Sequence, residues 1–396
     1  MIKKIFLTLL ISILVNQNVF AVTLSEALLQ AYISNPELNA ERENIQVSKE
    51  DLNISRSEFL PVVTLSGSQS EENTKKLTDR TGTNSSYTDV STKTQSIKIE
   101  QKLFQGFAGI ASIEKSKIGL SLADAKLLKA EQKILYEAIE AYLGLIFANE
   151  KVEIIQRNVN LLERQVETDQ ARLERGQITL ADLAQSESSL AGTQAKFIQS
   201  KNEKVTGKLI YEKIIGPIVD VNDLNKRSDL NFELPINLNK AIEISKKNNP
   251  VLIIAKLNYE QSEKDVIIAT ANLSPSATLS LSSTKTDDLS SSYDESDKET
   301  AKAIISWPIF KGGKNTASIN RSKNLKNRKK LLLDNALKTN NTSVASAWSN
   351  LQSSQSLLSS MKLQVSAAEI ANEGISVEYE SGLGRSTLDV IQSNSI

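Results

Sequence analysis

Apolar residues along the middle of the chain recur at alternating intervals of four and three. One row runs Ile134, Ala141, Ala148, Ile155, Leu162, and a second runs Ala138, Leu145, Val152, Val159, Val166, Leu173. This is a heptad seam, and a helix that carries one must lie against another helix along its length. The pattern extends back through Leu127 to about Leu120 and stops at Gly176, which predicts one helix from Phe107 to Arg175. At ~1.5 Å per residue such a rod is on the order of 100 Å long. A second rod carries Ala347, Leu351, Leu358, Met361, Val365, Ala368, Ile375 and Tyr379. Adding 206 to the first seam gives the second: Ala141 becomes Ala347, Leu145 Leu351, Val159 Val365 and Leu173 Tyr379. The chain is a duplicated set of long helices.

The remaining elements follow the same duplication. A helical pattern runs from Thr23 to Glu58, capped by Thr23 or Ser25 and broken at Asn35-Pro36, with Pro36 suited to a first helical turn. At Pro61 the period changes to two, with Val63 and Leu65 alternating with Thr64 and Ser66. Glu71 to Thr92 reads as a polar loop. Then Ile97, Ile99 and Leu103 alternate with Lys98, Glu100 and Lys102. Arg175-Gly176 ends the rod, and Thr179 to Asp182 is a capping box for a returning helix that reaches Gly216-Pro217. Leu24, Asn35, Pro36, Pro61 and Leu65 return 214 residues later as Leu238, Asn249, Pro250, Pro275 and Leu279. Leu279 and Leu281 alternate with Ser280 and Ser282, an acidic loop covers Asp287 to Glu299, and Ala303, Ile305, Trp307 and Ile309 alternate with Lys302 and Ser306. The domain plan is therefore residues 1–21 as a signal peptide, 22–216 as the first repeat, 217–235 as a linker and 236–396 as the second repeat.

Four alternating strands of about ten residues have the length to cross a thin membrane when tilted. They cannot close a barrel, because membrane barrels start at eight strands and open edges leave backbone groups unpaired in lipid. Strands in lipid would have to be pooled by several chains in a closed symmetry, and three chains would give twelve. Each strand taken singly also fits the surface of a soluble sandwich. Trp307 fits either an interfacial aromatic or a core tryptophan.

Composition narrows the function. The chain has 396 residues, 47 basic and 47 acidic, so net charge offers no attraction to nucleic acid. It has no Cys and no His, which removes thiol nucleophiles, disulfides and the commonest general base and metal ligand. An enzyme has little to work with, and no cofactor motif is present. Lys3-Lys4, the apolar run Ile5 to Val15 and small Ala21 form a secretory signal, too short to span a bilayer as a helix.

These features resemble the TolC family of outer-membrane channels for drug efflux and type I protein secretion. The resemblance is carried by Asn35-Pro36-Glu37-Leu38 and its copy Asn249-Pro250, and by Trp307-Pro308-Ile309-Phe310-Lys311-Gly312-Gly313. The helix-turn sequences Arg175-Gly176 with Asp182-Leu183-Ala184-Gln185, and Tyr379-Glu380-Ser381-Gly382 with Asp389-Val390, complete it. The first long helix and its return look more like the type I secretion branch. The resemblance implies a mainly α fold with membrane β: duplicated coiled-coil hairpins form a periplasmic α-helical tunnel, and four strands per chain join a trimeric 12-stranded β-barrel. It implies a homotrimer in outer-membrane lipid, docking with a periplasmic adaptor protein and an inner-membrane pump or ABC exporter. Tyr379 and Arg385 then match residues whose bonds keep the tunnel end closed. Asp389 matches an acidic ring at the constriction, Gln392 stands where a second acidic residue is usual, and Asp182 lies at the neighbouring turn. Capping alone also explains Asp182, and equally Asp389 in Ser386 to Asp389. The alternative function is a surface-anchored coiled-coil stalk or adhesin, which needs no strands with a repeated aliphatic face. Asp182 is followed by about 33 residues of return helix, whereas Asp389 is followed by seven. The duplication therefore predicts a chain incomplete in its last helix, lacking at least ~27 residues and poor at assembly and sealing.

Overall fold

A computed structural model describes residues 22–77, 85–226, 233–290, 293–381, 389, 390 and 393. The signal peptide expected over residues 1–21 lies outside them. The first repeat comprises α1 (Leu24–Ser34), α2 (Pro36–Ser57), β1 (Val62–Leu77), β2 (Ser85–Gln105), α3 (Ala108–Glu174) and α4 (Leu180–Ile214). The second comprises α5 (Leu238–Asn248), α6 (Pro250–Ala271), β3 (Ser276–Ser290), β4 (Tyr293–Ser306) and α7 (Lys314–Glu380). Leu24 and Leu238, Pro36 and Pro250, and Val62 and Ser276 each start paired elements 214 apart, while Ala108 and Lys314 are 206 apart. Among the described residues no helix is long and apolar enough to cross a membrane.

Contacts divide the chain into two compact units, and each draws on both repeats. One contains Met1–Ala40, Leu128–Ile244 and Asn341–Ile396; the other contains Glu41–Leu127 and Ser245–Asn340. In the first unit, α1, α3 and α4 share one core. Leu24, Ala27 and Ala31 of α1 meet Ile134, Ala138, Ala141 and Leu145 of α3 and Tyr211 of α4. Ile218, Val221 and Leu224 are buried in the same core, so part of the segment between the repeats is anchored. Tyr142 Oη sits 2.7 Å from the Val22 carbonyl and 2.9 Å from that of Asn225, tying this segment to the start of α1. Glu26 and Thr23 cap α1 reciprocally.

The second unit holds an antiparallel sheet in the order β1-β2-β3-β4. Residues directly opposite in an antiparallel pair share a face. Val63, Ile99, Leu281 and Ala301 form one cross-strand row, and Phe104, Ala277 and Ile305 form another. Thr64, Lys98, Ser282 and Thr300 form a row on the opposite face, as do Glu100, Ser280 and Lys302. The alternation seen in the sequence thus survives pairing in these rows, although Val62 opposite Glu100 and Ile304 opposite Thr278 stand on the polar face. A bulge at Leu103 inserts one residue, so Phe104 rather than Leu103 continues the apolar face.

Three expectations are corrected. The polar stretch Glu71 to Thr92 is not a loop throughout, because β1 runs to Leu77 and β2 begins at Ser85, paired to their ends. Asp287 to Glu299 is likewise mostly strand. Backbone pairing does not need an apolar face, so these polar segments continue the hairpins without alternation. Finally, β4 ends at Ser306, which leaves Trp307 and Ile309 beyond it. Pro308 has no N–H to give a ladder. Trp307 is 64% exposed in the single chain and donates from Nε1 to the Leu273 carbonyl at 3.0 Å, so it is not a core tryptophan.

Gly106 (φ +60°) and Phe107 (φ +68°) turn β2 into α3. A Cβ at Gly106 would lie 2.8 Å from the Ala271 carbonyl oxygen, so glycine is needed there for both conformation and space.

Candidate functional site

The site is built where α3 ends and α4 returns. Gly176 takes the left-handed conformation (φ +69°), and the Gly176 and Gln177 amides bond back to the Leu173 and Arg172 carbonyls, each at 2.9 Å. Thr179 then starts α4. Its Oγ1 accepts from the Asp182 amide at 3.3 Å, and Asp182 Oδ2 accepts from the Thr179 amide at 2.9 Å and from its hydroxyl at 2.7 Å. The Thr179 backbone bond, followed by the bond to its side chain, holds the Asp182 carboxyl below the usual carboxylate range. The expected capping box is present, and the exposed Asp182 carboxylate is engaged in it.

One turn further along α4, Ser186 faces back onto α3. Its hydroxyl donates to Asp169 Oδ2 at 2.6 Å. Gln165, one turn before Asp169, donates from Nε2 to Asp169 Oδ1 at 3.0 Å. Tyr379, near the end of α7, donates its phenol to the same Oδ1 at 3.4 Å and accepts from Gln165 Nε2 at 3.2 Å. The Arg172 guanidinium carbon lies 4.3 Å from the Tyr379 ring centroid, a cation–π distance. Asp169 is 0% exposed, as is Ser186. Three helices thus meet on one buried carboxylate, and their bonds differ in kind. Ser186 and Gln165 hold Asp169 within the α3–α4 hairpin, while Tyr379 joins that hairpin to α7. Such an arrangement can open and close as a hydrogen-bonded latch. Among the described residues no group of three or more acidic, His or Cys side chains is placed to hold a metal ion.

Of the residues singled out from sequence, Tyr379 is in this network and Asp182 borders it as a cap. Asp389 is helical and half-buried. Arg385 and Gln392 lie outside the described residues, as does Ser386 of the second capping box. Sequence reasoning missed Asp169, Gln165, Arg172 and Ser186. A signal for Asp169 existed: it continues the row Ile134, Ala141, Ala148, Ile155, Leu162 by one more heptad, and is the one charged member of that row.

A family described as outer membrane efflux protein matches residues 27–208 and 241–392. The outer membrane efflux protein BepC of Brucella suis biovar 1 is 25% identical over 386 residues, covering 97% of this chain and 81% of that one. The alkaline protease secretion protein AprF of Pseudomonas aeruginosa is 20% identical, covering 90% of this chain and 75% of its own length. Among solved structures, the outer-membrane channel OprN superposes with a TM-score of 0.78 at 19% identity, over 94% of this chain and 83% of that one.

Proposed function

Because the chain belongs to the outer membrane efflux protein family, we propose that it is one third of a passive exit duct, with its sheet in outer-membrane lipid and its helices as a periplasmic tunnel. The observation that carries this reading is the sheet. In the half of the sheet nearer the helices, the rows Val63-Ile99-Leu281-Ala301 and Phe104-Ala277-Ile305 are apolar and the opposite rows hold Lys98, Glu100 and Lys302, and among the described residues β1 and β4 are edges with no further partner strand. Open edges in lipid cost several kcal/mol per unpaired group, so the strands need further copies to close. Three copies supply twelve strands, a size within the range of membrane barrels. Lys98 and Glu100 pair at 2.8 Å on the face that a closed barrel would turn to water. Phe59, Phe107, Trp307 and Phe310 are exposed where the strands meet the helices, a position suited to a membrane interface.

The latch on Asp169 then serves as the regulated end of the duct. Its Tyr379 bond must break for α7 to leave the α3–α4 hairpin, and an inner-membrane pump or exporter with its periplasmic adaptor would supply the binding energy. The reading is tested by single-channel recording of the purified protein in planar bilayers, alongside its mass in detergent. It requires a trimer with discrete conductance steps. A monomer that leaves the bilayer silent would refute it.

A further inference from the structure

Helices α3 and α6 meet because β2 and β3 pair: α3 leaves β2 where α6 enters β3. Their contact carries two ion pairs of opposite polarity, Lys115 with Asp265 and Lys264 with Glu114, both at 2.7 Å. Gln261 donates from Nε2 to the Lys115 carbonyl at 3.3 Å, and a Cβ on Gly119 would lie 3.3 Å from the same nitrogen. Ala108 and Asn272 line one cavity at the strand end of this contact. Both helices have duplicates. α7, 206 residues after α3, leaves β4, and α2, 214 residues before α6, enters β1. β4 and β1 are the two edges of the sheet. Carried over by these offsets, the contact pairs Arg321 with Asp51, Asn320 with Glu50, Leu325 with Val47 and Lys314 with Glu58. Val47 is 57% exposed and Leu325 38%. Arg321 and Asp51 are exposed, and among the described residues they form no ion pair.

We infer that the α7 face bearing Lys314, Arg321 and Leu325 docks on the face bearing Val47, Asp51 and Glu58 of a second copy, with Arg321 and Asp51 as the ion pair that fixes the register between copies. The inference rests on the reading that copies join their sheets edge to edge, and it adds the residues that direct the joining. The chemistry fits position by position. The Lys115–Asp265 pair becomes another cation–carboxylate pair, Gln261 against Gly119 becomes Val against Leu, and Ala108 against Asn272 becomes Lys against Glu. The strands agree, because the same offsets turn Ile99 opposite Leu281 into Ile305 opposite Gly67, which leaves the apolar faces of both copies on one side. The distribution of sign is not copied. Within the chain each helix carries both signs, Glu114 with Lys115 and Lys264 with Asp265. At the edges the signs are sorted: Lys314, Arg321 and Arg328 share one heptad row of α7, while Glu50, Asp51 and Glu58 lie on and just after α2. Two α7 faces therefore repel, as do two α2 faces, and α7 attracts α2. Like charges in juxtaposition disfavour the isologous dimer and leave head-to-tail addition, the kind that closes a ring.

The chain has no cysteine, so Val47→Cys with Leu325→Cys introduces its only two thiols. The purified double variant is treated with a short bis-maleimide and run on a denaturing gel beside each single variant. Covalent dimers and trimers are expected from the double variant and none from the singles. Asp51→Arg should lower the trimer recovered on refolding at low salt about tenfold, and adding Arg321→Asp should restore most of it. Both sites are exposed, so an unchanged circular dichroism spectrum verifies the helices. Wild-type assembly should slow as salt is raised, because exposed charges are screened. A trimer that yields no intermolecular product, a product confined to single chains, or an Asp51→Arg defect that Arg321→Asp does not relieve overturns the inference and leaves the trimeric duct standing. A wild-type protein of monomer mass overturns both.

Discussion

Tyr379→Phe separates the latch from the packing around it. The substitution removes one hydroxyl and keeps the ring, so the stacking of Arg172 over the aromatic face survives. Among the described residues two bonds go: the 3.4 Å donation to Asp169 and the 3.2 Å acceptance from Gln165. Both are longer than the usual O–H···O or N–H···O separation, so each belongs at the weak end of the range, ~0.5 kcal/mol. Asp169 keeps Ser186 at 2.6 Å and Gln165 at 3.0 Å, so its carboxylate is not left bare. The closed state should therefore lose ~1 kcal/mol per chain, about a fivefold shift toward open. If three chains must release together, the losses add to ~3 kcal/mol, a shift on the order of 100-fold. Open probability in planar bilayers reads the shift, and its size tells independent from concerted release. Ser186→Ala is the control. It breaks a bond internal to the α3–α4 hairpin, so it should lower the melting temperature more than Tyr379→Phe while changing opening less. An unchanged open probability for Tyr379→Phe, or equal effects of the two substitutions on opening, would refute the assignment of Tyr379 as the moving contact.

Cysteine at position 99 should react with a lipid-phase reagent and cysteine at position 98 with an aqueous one; the reverse pattern would reject the facing inferred from the register. Thr179→Ala removes the cap that starts α4 and should cost about 1 kcal/mol in chemical denaturation. The Asp182 carboxyl in the same cap titrates below its ordinary value of 3.8, so its contribution is present above that pH and lost as pH falls through the lower folded value, which carboxyl chemical shifts can follow. Burial, reinforced by Tyr142, pushes the Tyr211 phenol up to about 12 from 10.0. The unfolded chain ionises first, so the stabilisation from Tyr211 is complete below pH 10 and is lost as pH rises toward 12. Difference absorbance should show the last tyrosine ionising together with loss of helicity, and Tyr211→Phe should remove that phase.

The duplication made much of the fold legible, because each element had to satisfy the same packing twice. Starts of elements fall at the offsets read from Leu24/Leu238 and from the heptad rows, and the Thr179 cap sits where its four-residue pattern placed it. Strand length was not legible. Alternation reports a difference between two environments, and Glu71 to Asn73 has polar residues toward both faces, so pairing there leaves no periodic trace. The end of β4 was misread for the opposite reason: Trp307 and Ile309 continue the period by chance of parity, while Pro308 interrupts the ladder. At the latch, helix endings and caps are local and readable, but the meeting of Gln165, Asp169, Ser186 and Tyr379 depends on which faces of three helices coincide.

The Asn-Pro pair shows where local reading stops. In both repeats the asparagine Oδ1 caps the following helix, accepting from Glu37 at 3.0 Å in the first and from Val251 at 2.9 Å in the second. That half of the side chain is fixed by sequence, since proline at the first helical position leaves the next amide seeking an acceptor. The Nδ2 half is spent differently. Asn35 donates to the Ile214 carbonyl at the end of α4, giving that terminal carbonyl a partner. Asn249 donates to Asn340 Oδ1, which also accepts from Ser245. Asn340 is the counterpart of buried Ile134, so the second repeat has replaced an apolar seam residue by an acceptor at the point where its asparagine needs one. A capping motif thus sets the local turn identically in both halves, and the long-range bond that it makes depends on the helix that lies beside it.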